Sequence, residues 1–243
     1  MATDLRGRTA LVTGASGGIG SDVALRLAAA GCDVAVHWSG DEEAARAVAD
    51  RAATHGVRTA VLQADLRDPA AAAGLIERVG AGLGPIDVLV ANAGINTPVQ
   101  DVADVTPEQW DETIALNLTA PFLLTQAVVP GMVERGFGRV LLVSSVAAFT
   151  GGLVGPHYAA SKAGLHGVLF WLAKRVAGSG VTVNAVAPAV VASGMVPEDS
   201  DASAIPVGRI GRPEEVGELA MAMLTNAYVT GKVFTADGGM FPH

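Results

Sequence analysis

Tyr158 and Lys162 stand four residues apart in His157-Tyr158-Ala159-Ala160-Ser161-Lys162, a segment that otherwise reads as helix. At that spacing the phenol and the ammonium share one helix face. A free tyrosine has a pKa of about 10 and is a poor proton carrier at neutral pH, but a nearby cation favours the phenolate and lowers that value. The pair therefore has the chemistry of a proton donor or acceptor. On a solvated helix face the same spacing does nothing, so the elements around it decide between the two readings.

With 243 residues, 50% hydrophobic and 16% charged, the chain has the apolar material for one large core, and the simplest reading is a single α/β domain over residues 1–243. A mean hydropathy of +0.41 argues against disorder. A net charge of -8 argues against nucleic acid or an anionic membrane as partner. The single Cys32 excludes an internal disulfide and a thiolate metal cluster, reads as core filler and suits a reducing cytoplasm; no metal site is expected. Met1 to Arg8 carries Asp4, Arg6 and Arg8 and leads into a strand rather than a signal-type apolar run. Val140 to Ser161 and Val176 to Pro197 lack Asp, Glu, Lys and Arg and are long enough to span a bilayer by count. The Ser, Thr, Asn, Gly and Pro residues within both make them strand, turn and further element instead.

Short apolar runs alternate with helical patterns. Strands are expected at Thr9 to Thr13, Asp33 to Trp38, Thr59 to Gln63, Val88 to Ala91, Val140 to Ser144, Val181 to Val186 and Val233 to Thr235. Helices are expected at Gly18 to Ala30, Asp41 to Thr54, Pro69 to Val79, Pro107 to Arg135, His157 to Ala177 and Pro213 to Leu224. Strands that are apolar almost throughout, alternating with helices, imply a doubly wound α/β fold: a parallel sheet of about seven strands with helices on both faces. No linker divides it and no repeat is present.

The first turn, Thr13-Gly14-Ala15-Ser16-Gly17-Gly18-Ile19-Gly20, follows the first strand and opens the first helix. Backbone N–H groups and the helix dipole there can hold a pyrophosphate. The spacing of Gly14, Gly18 and Gly20 is not G-x-G-x-x-G, and a glycine-rich turn alone also serves tight helix-to-sheet packing. The strand–turn–helix context favours nucleotide binding.

A second local argument concerns Asn117. It lies in the helix opened by Thr106-Pro107-Glu108-Gln109, a capping-box pattern with proline at the first helical position. Pro121 stands at i+4 from Asn117 and has no N–H to donate, so the Asn117 carbonyl loses its helical partner and a kink is expected there. A kink that merely fits the helix to the sheet is the plainer alternative.

The glycine turn at Thr13, Asn92-Ala93-Gly94 after the fourth strand, Asn117, Ser145, and Tyr158 with Lys162 recur in this order in the short-chain dehydrogenases/reductases, which the chain resembles over essentially its whole length. The resemblance extends to the branch with 3-oxoacyl-[acyl-carrier-protein] reductases, and includes Tyr228-Val229-Thr230-Gly231 and Asp237-Gly238-Gly239. Singly, the motifs have ordinary readings: Asn92 as a turn residue, Ser145 as a strand end, Asn117 as a buried helix amide.

The resemblance implies a Rossmann fold and reduction of a ketone to a secondary alcohol. Ser145 would bond the carbonyl oxygen while Tyr158 delivers a proton to it as hydride arrives from the nicotinamide. Lys162 would grip the nicotinamide ribose, and Asn117 would hold a water leading from Lys162 to solvent. Ser144 projects to the other side of an extended chain, where a core or strand-end role is expected. Gly14, Ser16, Gly17, Gly18, Ile19, Gly20, Asn92, Ala93 and Gly94 would line the cofactor, Asp65 and Leu66 its adenine, and Pro188, Ala189, Val191 and Ser193 its carboxamide end. Ala189 replaces the familiar glycine and Ser193 the usual threonine.

For the cofactor, the family binds the NAD ribose with an acid at the end of the second strand and the NADP phosphate with basic residues. This chain has neither: His37-Trp38-Ser39-Gly40 ends the strand and Gly17 takes the loop position where arginine is common. The missing acid and the donors of Ser39, Gly40 and His37 favour NADPH, with NAD the alternative. Asp41, Glu42 and Glu43 point mildly the other way, or simply favour a helix start. The segment Ser193 to Pro206, with Glu198, Asp199, Ser200, Asp201 and Ser203, reads as a short, mobile acidic lid that leaves the site open to bulky or carrier-bound carbonyl substrates.

Other functions remain open: an alcohol dehydrogenase acting oxidatively on a small or sugar-like alcohol, a dinucleotide-binding sensor without turnover, and an epimerase or dehydratase of the extended relatives. A sensor needs no intact Ser-Tyr-Lys set, and the extended relatives usually add a substrate domain. The helix with Tyr158 also carries Leu165, Val168, Leu169, Phe170, Trp171, Leu172 and Val176, apolar around much of its circumference, and Phe122, Leu123, Val128 and Met132 give the preceding helix a similar surplus. A homo-oligomer, tetramer or dimer, is therefore expected, with Trp171 near the interface.

Overall fold

The apolar runs pair side by side. In the computed structural model, which describes residues 3–193 and 201–241, β1 (Thr9–Val12), β2 (Asp33–Trp38), β3 (Thr59–Gln63), β4 (Ile86–Ala91), β5 (Gly138–Val143), β6 (Val181–Pro188) and β7 (Val233–Ala236) form one sheet in the order β3-β2-β1-β4-β5-β6-β7. Every pairing is parallel. β1, β4, β5 and β6 are buried at every position, which explains why they read as continuous apolar runs rather than alternating ones.

The helices are α1 (Gly18–Ala29), α2 (Glu42–Ala53), α3 (Pro69–Gly82), α4 (Pro107–Ile114), α5 (Ala120–Glu134), the four-residue α6 (Ala147–Thr150), α7 (Pro156–Val176) and α8 (Pro213–Thr225). Val23, Leu27, Val48 and Val216, from α1, α2 and α8, pack on one face of the sheet. Leu75, Leu124, Leu165 and Leu169, from α3, α5 and α7, pack on the other. Cys32 is buried among the first set, with its thiol pushed up to about 12, chiefly by burial.

The expected single helix from Pro107 to Arg135 is interrupted. Thr106 and Gln109 form the anticipated capping box. Residues Ala115–Thr119 then make a π turn in which the N–H of Ala120 bonds the carbonyl of Ala115, before α5 begins. Pro121 accounts for it: lacking an N–H, it cannot close an α-helical bond to Asn117, and the chain widens by one residue instead of bending sharply. Pro107–Glu134 is long and apolar enough to cross a membrane by length and composition; here Leu124, Val128 and Met132 pack on the sheet.

Candidate active site

A cavity of about 1430 Å³ runs along the carboxyl ends of the strands, from Gly17 and Ser39 to Ser145, Tyr158 and Lys162. It straddles the point where the strand order reverses between β1 and β4, the position at which open parallel sheets bind ligands.

Side chains from three strands lock the glycine turn. Thr13 Oγ1 accepts the backbone N–H groups of Asn92 and Ala93, both at 3.0 Å. The Asn92 amide donates to the carbonyls of Thr13 at 2.9 Å and Gly14 at 3.0 Å. Asn92 lines the cavity, but its amide nitrogen is committed to the turn it braces. Gly14 has φ +62°, which only glycine adopts without strain. Ser16, Gly17, Gly18 and Ile19 line the cavity, as do Ala93 and Gly94. Gly20 does not belong with them: a Cβ there would lie 2.3 Å from the Gly14 carbonyl oxygen, so this glycine lets α1 approach the turn from beneath. α1 has no side-chain cap. Its first-turn N–H groups, with nothing within 4 Å of a Cβ built at Gly17, fit a bound pyrophosphate.

Trp38 departs from expectation, and His37 lines the cavity but in a different role from the one expected. The His37 ring is 2% exposed; Nδ1 accepts from the Gly14 N–H at 3.1 Å, so Nε2 carries the proton and donates to the Ala64 carbonyl at 3.1 Å. Both nitrogens are used, and burial drives the ring's pKa down to about 4, so His37 offers no donor to a phosphate. It sets the glycine turn against β2 instead. Trp38 is buried in the core over α1 and α2 and does not line the cavity. Ser39 and Gly40 are exposed and do line it. The Asp41 carboxylate is turned away into capping α2 through the Ala44 N–H at 2.9 Å. Leu66 is a buried part of the wall, and Asp65 is held by Arg67, whose Nη2 lies 2.7 Å from Oδ2. Arg67, which also binds Glu112, is a cavity residue that sequence reasoning passed over; a lone arginine in a turn carried no signal.

At the far end, β5 delivers Ser145 and α7 delivers Tyr158, Ser161 and Lys162. Ser145 Oγ accepts from the Ala147 N–H at 3.2 Å and lines the cavity with Tyr158, whose ionised form it favours. Lys162 is 4% exposed; its Nζ donates to the Val143 carbonyl at 2.9 Å and lies 5.7 Å from the Tyr158 ring centroid. Burial lowers the ammonium to about 8. The expected lowering of Tyr158 by this cation is not the net result: burial raises the phenol above its ordinary value, offset in part by Ser145. Tyr158 is therefore protonated at neutral pH in the protein alone. Ser144, its side chain turned away, bonds the Lys162 carbonyl at 3.2 Å and His166 Nε2 at 2.9 Å.

Asn117 sits in the π turn, fully buried. Its Oδ1 accepts from the Ile95 N–H and its Nδ2 donates to the Ile95 carbonyl, both at 2.9 Å, with a longer bond from Nδ2 to Ser161 Oγ at 3.3 Å. The side chain thus ties the loop after β4 to the helix of Tyr158. Pro188, Ala189, Val191 and Ser193 complete the cavity on the β6 side, where Ala189 bonds the Ala236 carbonyl and Ser193 rests on Gly18. Of the expected acidic lid, Glu198, Asp199 and Ser200 lie outside the described residues. Asp201 and Ser203 form a local turn, and Ala204 reaches the cavity wall. Among the described residues no group of three His, Cys, Asp or Glu is placed to hold a metal ion.

A glycine turn braced at the switch point and a half-buried tyrosine beside a buried lysine at the other end of the same cleft mark an oxidoreductase built on the Rossmann plan. Residues 8–204 match the family model described as short chain dehydrogenase, and the chain belongs to that family. It is 39% identical to an acetoacetyl-CoA reductase of Rhizobium meliloti (strain 1021) over 96% of this chain and 98% of that one. It is 40% identical to a 3-oxoacyl-[acyl-carrier-protein] reductase of Synechocystis over 98% of each. The crystal structure of a short-chain type dehydrogenase/reductase from Mycobacterium marinum superposes with a TM-score of 0.90 at 33% identity, covering 99% of this chain and 98% of the other.

Proposed function

We propose that this enzyme reduces the ketone of a 3-oxoacyl thioester or a related carbonyl, with NADPH preferred over NADH, as one catalytic unit over residues 1–243. The observation that carries the reading is the Tyr158 phenol, lining the cavity with Ser145, raised by desolvation and with the buried Lys162 ammonium 5.7 Å from its ring. The reduced nicotinamide, when bound, supplies hydride to the carbonyl carbon. Ser145 donates a hydrogen bond to the carbonyl oxygen, and Tyr158 gives that oxygen its proton. Lys162 holds the nicotinamide ribose and, charged, stabilises the phenolate left behind. Asn117 holds Ile95 and α7 in register, and its carbonyl, with no N–H at Pro121 to accept, binds a water that returns the proton to Tyr158 through Lys162.

The glycine turn, the uncapped start of α1 and the cavity wall from Ser39 to Ser193 fit a dinucleotide. NADPH is favoured because the acids near the end of β2 are turned to other work: Asp41 caps α2 and Glu42 pairs with Arg46. Ser39 and Gly40 are left to face a phosphate without repulsion. The two named reductase relatives act on acyl thioesters by name, which supports that substrate class here. A cytoplasmic location and a homotetramer or homodimer go with this reading. Incubation with NADPH or NADH and a panel of 3-oxoacyl thioesters, simple ketones and alcohols tests it. Fastest consumption of NADPH with a 3-oxoacyl thioester is the expected result; cofactor binding with no turnover of any carbonyl or alcohol would leave a sensor.

A further inference from the structure

The last described residues reach the end of the cavity that holds Ser145 and Tyr158. Met240 and Phe241 line it together with Val146, Ala147 and Val154. Phe241 stacks on Phe149 of α6, the helix that follows Ser145, with ring centroids 5.0 Å apart and 14° between planes. Phe149 in turn lies 4.9 Å from His166, whose Nε2 bonds Ser144. The ring of Phe241 is thus fixed relative to the strand end that carries the Ser145 hydroxyl.

One side chain orders this tail. Asp237 Oδ1 accepts the Gly239 N–H and Oδ2 accepts the Phe241 N–H, both at 3.0 Å, while its carbonyl accepts from Met240 at 3.2 Å. The same turn receives the segment before α8: Val207 N–H bonds the Gly238 carbonyl at 3.1 Å, and Ile205 is 5% exposed. The charged residues that line the cavity, Asp65, Arg67 and Lys162, belong to the cofactor side and the catalytic pair; around Phe241 the lining is Met240, Val146, Ala147, Leu153 and Val154, with Thr150 the polar exception.

We propose that Phe241 sets the length of the apolar chain the site accepts on its carbonyl substrate, with Asp237 as the residue that positions it. The inference rests on the ketone-reductase reading above. An aromatic ring pinned at the end of an apolar wall stops a long chain and packs on a short one.

The test compares wild type, Phe241→Ala, Asp237→Ala and Asp237→Asn on a short and a long 3-oxoacyl thioester. Phe241→Ala is expected to raise the long-to-short ratio of kcat/KM by about tenfold, mainly through KM, the scale on which a hydrophobic pocket discriminates chain length. Asp237→Ala, which keeps the ring and frees the tail, is expected to move the ratio the same way, and Asp237→Asn, which keeps an acceptor, to restore it. An unchanged ratio in Phe241→Ala, or an equal loss on both substrates, overturns the proposal. Calorimetric binding of butanone and an octanone to the complex with oxidised cofactor, which has no hydride to give, reads the same ratio without turnover. If wild type reduces no carbonyl, the functional reading fails while the binding ratio still judges Phe241.

Discussion

Lys162 donates to the Val143 carbonyl at 2.9 Å, two residues before Ser145 on the same strand end. The bond ties α7 to β5 beside those of Ser144 to the Lys162 carbonyl and His166, so the hydroxyl at the strand end and the phenol of the helix are held in one frame. It also takes one of the ammonium's three donors, leaving others for a ribose.

That ammonium is lowered to about 8 by burial, while the Tyr158 phenol is raised. Lys162 is charged below about pH 8 and loses its charge as pH rises through that value, well before Tyr158 ionises. We expect kcat/KM for the reduced cofactor, which reports the free enzyme, to be level at neutral pH and to fall above about pH 8. Lys162→Met is expected to lower the rate and remove the break; a wild-type profile level to about pH 10 contradicts the assignment. In stability the sign is opposite: between about 8 and the ordinary 10.5 the unfolded chain binds the extra proton, so this group's contribution rises with pH.

His37 makes an acid-side prediction. Its pKa falls from 6.5 to about 4 on folding. Between those values the unfolded state binds a proton that the native ring does not, so stability present above pH 6.5 is lost as pH falls toward 4. The full loss is about 3 kcal/mol. Denaturant titrations across this window are expected to show the slope in wild type and lose it in His37→Asn, which retains an acceptor for the Gly14 N–H. An equal slope in both proteins would contradict the role.

His37 also shows where sequence stops. The strand Asp33–Trp38 was legible to the residue because a parallel interior strand is a run of Val, Ala and aromatic side chains bounded by polar ones. What the strand-end side chains can offer the cavity depends on neighbours far along the chain: the Ala64 carbonyl takes the His37 donor and the α1–α2 core takes Trp38. Tyr158, Lys162, Ser145 and Asn117 carried a resemblance; the first three line one end of the cleft, and Asn117 is buried behind them against Ser161. Phe241 carried none, since its place is set by a turn bonded to a distant loop. Pro121 gave a local break in advance, but a helix can absorb a missing N–H by bending or by widening, and here it widens into a π turn.

Cofactor choice turns on the end of β2. NADPH is expected to give the higher kcat/KM, by a modest margin because no arginine is placed there to clasp a phosphate bidentately. Ser39→Arg is expected to widen the margin about tenfold, since Ser39 is exposed and lines the cavity. Equal or better use of NADH by wild type would show that the absent acid does not decide the matter.

The outer face of α7 leaves Phe170 54% and Trp171 59% exposed, and α5 adds Phe122 at 42%. Arg175 stacks on Trp171 at 3.7 Å, a partial cover. Light scattering at low protein concentration is expected to give an oligomer, and Trp171→Glu to dissociate it. A monomer of full activity ends the idea.

Most direct of all is Tyr158→Phe, which removes one hydroxyl and little packing. Ketone reduction is expected to fall by about a hundred- to ten-thousandfold, the range for losing a general acid. Calorimetric affinity for NADPH is expected to stay near wild type. Turnover close to wild type in this variant would contradict the assignment of Tyr158 as the proton donor.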